Sequence, residues 1–326
     1  MSAQSHDHHH GHAHGHSHDH PHDHHHGHKD HHHHQVPRAG ARRAFAVGVA
    51  LNTLFVAVEW VCGVLSGSLA LIADATHNFS DVLGLLMAWG AIALSRRPPS
   101  ARFTYGLGST TILAALANAM LLLVATGGIA WEAIHRFRDA GTVNETFMIW
   151  VALLGVVING VTAWLFMAER KHDLNMRGAY LHMAADAAVS LGVVAAGISM
   201  MFTGWMWLDP LVSLVIVAVI FAGTWGLLRD SARLALQAAP EDIDPVGVRR
   251  YLAALPGVSE VHDLHIWAMS TTENAMTAHM VMPAGHPGDD FFADVVEHIE
   301  HQFNIGHVTI QIETGRACAL APDHVV

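Results

Sequence analysis

The sequence predicts a membrane bundle of six helices followed by a small α+β domain, and three observations predict it. Hydrophobic residues make up 52% of the 326 and charged ones only 14%, with a mean hydropathy of +0.30, a balance that points to several membrane spans. Windows of about 20 apolar residues, enough to cross a ~30 Å hydrocarbon core, recur near 44–65, 69–94, 110–134, 147–168, 179–202 and 208–228. At "QAAPEDIDP" (237–245) a proline and a cluster of acids end the apolar part, and the text that follows is that of a soluble domain.

The elements follow in chain order. Of 30 histidines, 18 fall before residue 35, interleaved with Asp and Gly in phrases such as "HGHAHGHSHDH". Residues 1–36 are too polar and too biased to bury a core, so they are expected to form a disordered metal-binding arm. A purification tag is the alternative, although tags are normally uninterrupted runs and these histidines are interleaved. Spaced neutral imidazoles bind Zn2+, Ni2+ or Co2+ weakly and in many arrangements. The start lacks the apolar core and small-residue cleavage site of a secretory signal.

The six spans occupy residues 40–236, and Arg/Lys placement orients them. Arg38, Arg42 and Arg43 precede the first, Arg96, Arg97 and Arg102 link the second and third, Arg170, Lys171 and Arg177 link the fourth and fifth, and Arg229 and Arg233 follow the sixth. The opposite loops offer only Arg136 and Arg138. Both termini are therefore expected on the cytoplasmic side of a cell (inner) membrane. Trp205 and Trp207 read as part of an interfacial aromatic belt.

Residues 240–315 read as a two-layer domain in the order αββαβ, a ferredoxin-like arrangement. Helical spacing runs through "PVGVRRYLAAL" and "DDFFADVVEHIEHQF", and period-two alternation through "VHDLHIWAM", "NAMTAHMVM" and "HVTIQIE". An edge strand or sheet face there is available to a second copy. Residues 316–326 are a short tail. The two cysteines, Cys62 and Cys318, make a disulfide framework improbable. The formal charge of −11 counts every His as neutral, and no nucleic-acid partner is inferred from it.

Inside the second span stands "HNFSD" (77–81), and inside the fifth "HMAAD" (182–186). Residues four apart on an α-helix share a face, about 40° around the axis and ~6 Å along it. His77 pairs in this way with Asp81, and His182 with Asp186. At ~1.5 Å per residue, Asp81 lies roughly 20 Å and Asp186 roughly 24 Å from the outer ends of their spans, depths that antiparallel neighbours can match with modest tilt. Two imidazole nitrogens and two carboxylate oxygens make a tetrahedral set suited to Zn2+ and tolerant of Co2+ or Cd2+. The alternative is that intramembrane polar groups merely join helices by hydrogen bonds, which is the expectation for Asn52, Asn118 and Asn159. Against it, each ionisable group costs at least ~2.5 kcal/mol in the bilayer, and there are two matched pairs. Glu59, placed near the outer end of the first span, is expected to reach headgroups or water, with a proton relay as the alternative. Asp209, before Pro210, is expected to act as a helix cap.

"ADATHNFSDV", "AYLHMAADAAVSLGVV", "HDLHIWAMST" and "HVTIQIE", with six spans and a His-rich start, resemble the cation diffusion facilitator family over essentially the whole chain after about residue 40. The resemblance implies a transport site of His77, Asp81, His182 and Asp186, and a homodimer that exchanges Zn2+ for protons. The His/Asp pairing on both spans is similar to the zinc and cobalt branch, so Zn2+ is the expected cation with Co2+, Cd2+ or Ni2+ as further ones; Asp-richer versions favour iron or manganese. Asp74, one turn before His77, matches a position acidic in many members. It is expected to back the ligands or line the path to them, with a hydrogen-bonding role as the alternative.

The same resemblance implies regulatory metal ligands at His262, His279 and Glu313, with His307 and His265 as further candidates. Six residues of extended strand put His307 and Glu313 about 20 Å apart, so they cannot ligate one ion together. In "HDLH" a flat strand points the two histidines to opposite faces, so His265 is expected to pack or hydrogen-bond. Gln311 stands where some relatives carry His, which puts a full binuclear site in doubt.

A metal ligand must be deprotonated, so metal and protons compete for the same atoms. His, with an unperturbed pKa near 6.5, titrates in the relevant range. The expectation is a non-enzyme: a proton-coupled exporter that loads from the cytoplasm and rocks open outward. A membrane metal sensor or buffer is the rival reading. An intramembrane metalloenzyme is disfavoured because His-Glu-x-x-His, a nucleophile elbow and a phosphate-binding Gly loop are all missing.

Overall fold

The computed structural model describes residues 39–138, 141–167 and 174–315. The predicted arm (1–36), the tail (316–326), Cys318, Arg38, Arg170 and Lys171 lie outside them, as do the side chains of 39–52 and 174–176, which include Arg42, Arg43 and Asn52.

Six long helices come first: α1 (Ala39–Ser66), α2 (Leu69–Ser95), α3 (Thr110–Arg136), α4 (Glu145–Met167), α5 (Leu174–Thr203) and α6 (Leu208–Ala235). Helix is the form that satisfies every backbone donor and acceptor within its own segment, as a lipid environment demands. The five helices α2 to α6 are long and apolar enough to cross a membrane; in α1 the apolar stretch with described side chains is 53–66. Large side chains such as Leu65, Trp89, Val124, Trp150, Trp164 and Phe202 are exposed on the outside of the bundle. So much open apolar surface is what a lipid-facing wall requires and what a water-soluble protein avoids. The sixth helix runs beyond the predicted 228 to Ala235, because its last two turns are amphipathic and escape a hydropathy window.

Helix α2 is central: it packs on α1, α3, α5 and α6, while α4 lies along α5 and α1. Where α1 turns into α2, Gly67 adopts φ +72°, a conformation suited to glycine, and a Cβ there would stand 2.9 Å from the Thr142 carbonyl oxygen. The start of α2 is capped from α6. Asp209 accepts from the Ser68 hydroxyl (2.6 Å) and from the backbone N–H groups of Leu69 (2.9 Å) and Ala70 (3.2 Å). Asp209 is thus a cap as expected, but of α2 and not of its own helix. Gly155 on α4 allows close approach of α1 and α5, since a Cβ there would lie 2.8 Å from Phe55 Cζ and 3.0 Å from Ser190 Oγ.

The C-terminal part folds as α7 (Pro245–Ala253), β1 (Glu260–Ala268), β2 (Asn274–Val281), α8 (Asp289–Phe303) and β3 (His307–Glu313), the predicted αββαβ order. Asp244 caps α7 by accepting from Val246 N–H at 3.0 Å, with Pro245 at the first helical position where its missing N–H costs nothing. The sheet order is β1-β2-β3, antiparallel then parallel, the parallel step being made by α8. Val248, Leu252, Ile266, Met276, Met280, Val295 and Ile299 form the core between helices and sheet. The domain meets the bundle at the β1–β2 turn: Ser109 Oγ donates to the Met269 carbonyl (3.2 Å) and Thr271 N–H donates to Thr111 Oγ1 (3.1 Å).

Candidate metal centre

Antiparallel α2 and α5 place their two His-x-x-x-Asp faces opposite one another, so each imidazole meets the carboxylate of the other helix as well as its own. His182 Nε2 lies 3.0 Å from Asp81 Oδ2 and 3.6 Å from Asp186 Oδ2. His77 Nε2 lies 3.8 Å from Asp81 Oδ2 and 3.9 Å from Asp186 Oδ1. The two rings are 5.8 Å apart, nearly perpendicular. Donor atoms of a tetrahedral Zn2+ with bonds of about 2.0–2.2 Å sit ~3.3–3.6 Å from one another, and the four observed separations bracket that edge. His77, His182 and Asp186 each offer an atom within 4.8 Å of the others, and Asp81 joins them through both imidazoles. Buried Asp81 Oδ2 and Asp186 Oδ2 have no partner in hydrogen-bonding geometry despite these short distances. Their lone pairs therefore converge on shared space, which fits an ion between them. A divalent ion would also neutralise the two carboxylates, removing the cost of isolated charge in lipid.

Access to the four is graded. The side chains of His182 and Asp81 are 41% and 34% exposed, His77 is 25% and Asp186 only 4%. One turn further along α2 and α5, Asp74 and Ser190 are buried, as are Asn78 beside His77 and Glu59 on α1. Asp74 accepts from Ser190 Oγ at 3.1 Å, the hydrogen-bonding role allowed for it. The expectation for Glu59 is overturned: it is fully buried, not at a water or headgroup boundary, and faces Asp74 and Asn78. Helix α1 is apolar on every side, so hydropathy could not show which face turns inward; the signal available was depth, since Glu59 lies seven residues, ~10 Å, before the helix end. Asn118 touches Ser80 across helices at 3.5 Å, as expected, whereas Asn159 is buried without a partner in hydrogen-bonding geometry among the described residues.

The C-terminal domain gathers a second cluster on the sheet face away from its helices. Register sets His262 beside His279 and His279 beside Gln311, with Glu313 two residues along β3. Glu313 then reaches both histidines, 3.4 Å from His262 Nε2 and 3.0 Å from His279 Nδ1, and the three offer donor atoms within 4.8 Å of one another. Gln311 donates to Glu313 Oε1 at 3.1 Å. His307 is not part of the cluster; its ring meets Tyr105 at 5.5 Å, at the boundary with the bundle. His265 hydrogen-bonds as expected, to Asp263 Oδ1 at 2.9 Å, but the flat strand assumed for "HDLH" is not there. A bulge separates His262 from His265, and Asp263 within it has φ +50°. That turn aims the Asp263 carboxylate at His279 Nε2, 3.3 Å away, a contact that strand periodicity gave no means of finding.

Comparison with known proteins agrees with this architecture. Residues 45–234 match the cation efflux transmembrane domain and residues 240–315 the cytoplasmic domain of cation efflux proteins. The metal cation efflux system protein CzcD of Cupriavidus metallidurans is 36% identical over 275 residues, covering 84% of this chain and 87% of the relative. The cadmium, cobalt and zinc/H(+)-K(+) antiporter of Bacillus subtilis is 32% identical over 291 residues, covering 86% and 92%. Among solved structures, the metal-bound C-terminal domain of the CzcD transporter from Cupriavidus metallidurans matches 22% of this chain and 99% of its own length at 33% identity, with a TM-score of 0.21. The chain belongs to the cation efflux family of multi-pass membrane transporters, proteins that move metal cations and are not enzymes.

Proposed function

We propose that the protein exports divalent transition-metal cations in exchange for protons, with Zn2+ the foremost substrate and Co2+, Cd2+ and Ni2+ further ones, through His77, Asp81, His182 and Asp186. The observation that carries this reading is the crossed pairing of the two helices, His182 with Asp81 and His77 with Asp186. Two nitrogen and two oxygen donors favour Zn2+ and its neighbours over Mg2+ or Ca2+, which take oxygen alone. A cadmium, cobalt and zinc/H(+)-K(+) antiporter among the relatives supports both the cation class and the coupling.

Positively charged loops support a reading in which both termini lie on the cytoplasmic side of the cell membrane. In that orientation His182 and Asp81, the more exposed pair, face the cytoplasm, and the buried turn carrying Asp74 and Glu59 closes the outward side. The arrangement suits loading from within. Rocking of the helices would then open the outer side, where protons taken up by the same four groups displace the ion. His262, His279 and Glu313 form a regulatory metal site in this reading, and the C-terminal domain joins two copies into a homodimer.

The test is Zn2+ uptake into inside-out vesicles under an imposed pH gradient. Wild type should accumulate Zn2+ as the gradient dissipates, and Asp81→Ala or Asp186→Ala should lose nearly all of that flux. Full flux in either variant refutes the site. Metal binding without any proton-coupled flux would make the protein a sensor or buffer instead.

A further inference from the structure

At the outward edge of the four donors lies a group of buried oxygens that the proposed cycle leaves without a task. Glu59 on α1 is fully buried, and among the described residues its carboxylate is grouped with Asp74 and Asn78 on α2. Asn78 is likewise fully buried, its amide turned to Glu59. Ser190 on α5 closes the fourth side through its bond to Asp74 at 3.1 Å. Gly155 keeps that wall tight, since a Cβ there would press on the Ser190 hydroxyl at 3.0 Å.

The groups acting on these two carboxylates are each other, Asn78, Ser190 and, within electrostatic reach, Asp186. Two acids held together in an apolar bundle need a shared proton or a cation between them. Their position says which cation. Asp74 is three residues before His77 and Ser190 four after Asp186, so these two stand ~4.5–6 Å further out along the same two helices, with Asn78 level with His77 and turned to Glu59 on α1. An ion leaving the four-donor site outward meets this group next.

We propose that Glu59, Asp74, Asn78 and Ser190 form an oxygen-only subsite that receives the divalent cation on its way out. The role in exit rests on the transport reading above; the cation subsite itself does not. Its chemistry suits the step. Zn2+ and Cd2+ bind more tightly to a set containing imidazole than to oxygens alone, so the outer layer holds the ion less firmly than the inner one. A permeating ion is passed on efficiently when a site attracts it enough to enter and weakly enough to leave. Until the ion arrives, contact between α1, α2 and α5 at these residues closes the outward side.

Cadmium-113 NMR of the full chain tests the subsite directly. In protein carrying Asp81→Ala, which disables the inner site, an oxygen-only cadmium resonance should remain, and adding Glu59→Gln should abolish it. Absence of that resonance, or its persistence with Glu59→Gln, overturns the proposal. Folding is checked with Glu59→Gln alone, which should keep the tetrahedral Co2+ absorption of the intact inner site. If that absorption is lost, Ser190→Ala replaces Glu59→Gln and must weaken cadmium binding at the oxygen-only resonance at least ~5-fold; an unchanged affinity overturns the subsite. The resonance is read with the inner site already disabled, so failure of the transport reading in vesicles would leave this result standing, and the reverse holds equally.

Discussion

The intramembrane quartet draws four donors from two helices at one repeated spacing, whereas the C-terminal cluster draws His262, His279 and Glu313 from three strands that meet only through register. Both combine imidazole with carboxylate, and the two measure alike, with contacts of 3.0–3.9 Å in one and 3.0–3.4 Å in the other. They differ in what holds the donors. On α2 and α5 the i, i+4 spacing alone sets each pair on one face, and helix packing has only to bring the faces together. On the sheet, pairing, parallel crossover and one bulge must all be right before any two donors touch. They differ also in solvent. The side chains of His182 and Asp81 in the bundle are 41% and 34% exposed, whereas those of His279 and Glu313 on the sheet face are only 14% and 9% exposed.

Removing one imidazole from each site gives the largest expected difference. His182→Ala should lower vesicle Zn2+ flux by on the order of a hundredfold or more, since in the proposed site it deletes a donor to the transported ion. His279→Ala should leave flux within about threefold while removing one tight Zn2+ from an equilibrium titration of the full chain. Equal loss of flux from both substitutions would break the comparison, making the C-terminal cluster part of the path and not a regulator beside it.

A smaller effect separates the bulge from the strands around it. Asp263 holds His279 Nε2 at 3.3 Å from a backbone with φ +50°, a conformation that Asn and Asp tolerate better than other non-glycine residues. Asp263→Asn keeps that tolerance and removes the charge, so Zn2+ affinity at the C-terminal cluster should fall ~10-fold with little change in thermal stability. Asp263→Ala should lose similar affinity and also about 1 kcal/mol of stability to backbone strain. Titration and melting of both variants in a His182→Ala background, where the intramembrane site is silent, check this; equal melting of the two would show that the bulge carries no strain.

How far each region could be read from the sequence follows the same division. His77, Asp81, His182 and Asp186 were legible because helical period and the penalty for charge in lipid both act locally along the chain. The strand segments were legible too, and α8 and β3 begin and end where their side-chain patterns do. Asp263 was not, because a bulge is chosen by the fit of β1 on β2 and α7 and leaves alternation intact on either side. Nor was the environment of Glu59. A helix apolar on all sides carries no record of which face is packed, so only the neighbours, α2 and α5, decide that Glu59 ends in the interior. His307 and Glu313 show the limit from the other side: strand length alone correctly kept them apart, yet only the docking of the domain brings His307 to Tyr105.

The smallest expected effect belongs to the N-terminal arm, and it sharpens the comparison by adding imidazoles outside the described residues. In the proposed orientation, interleaved His residues before position 35 would raise the concentration of metal near the cytoplasmic mouth through weak, quickly exchanging contacts. A tether of this kind acts as an effective concentration, which changes how often the quartet is loaded and not what happens once it is. Deleting residues 1–34 should therefore raise the half-saturating Zn2+ by about two- to threefold and leave the maximal vesicle flux unchanged. A fall in maximal flux would mean that arm histidines take part in the transport step itself, and helix spacing would then no longer suffice to explain the site.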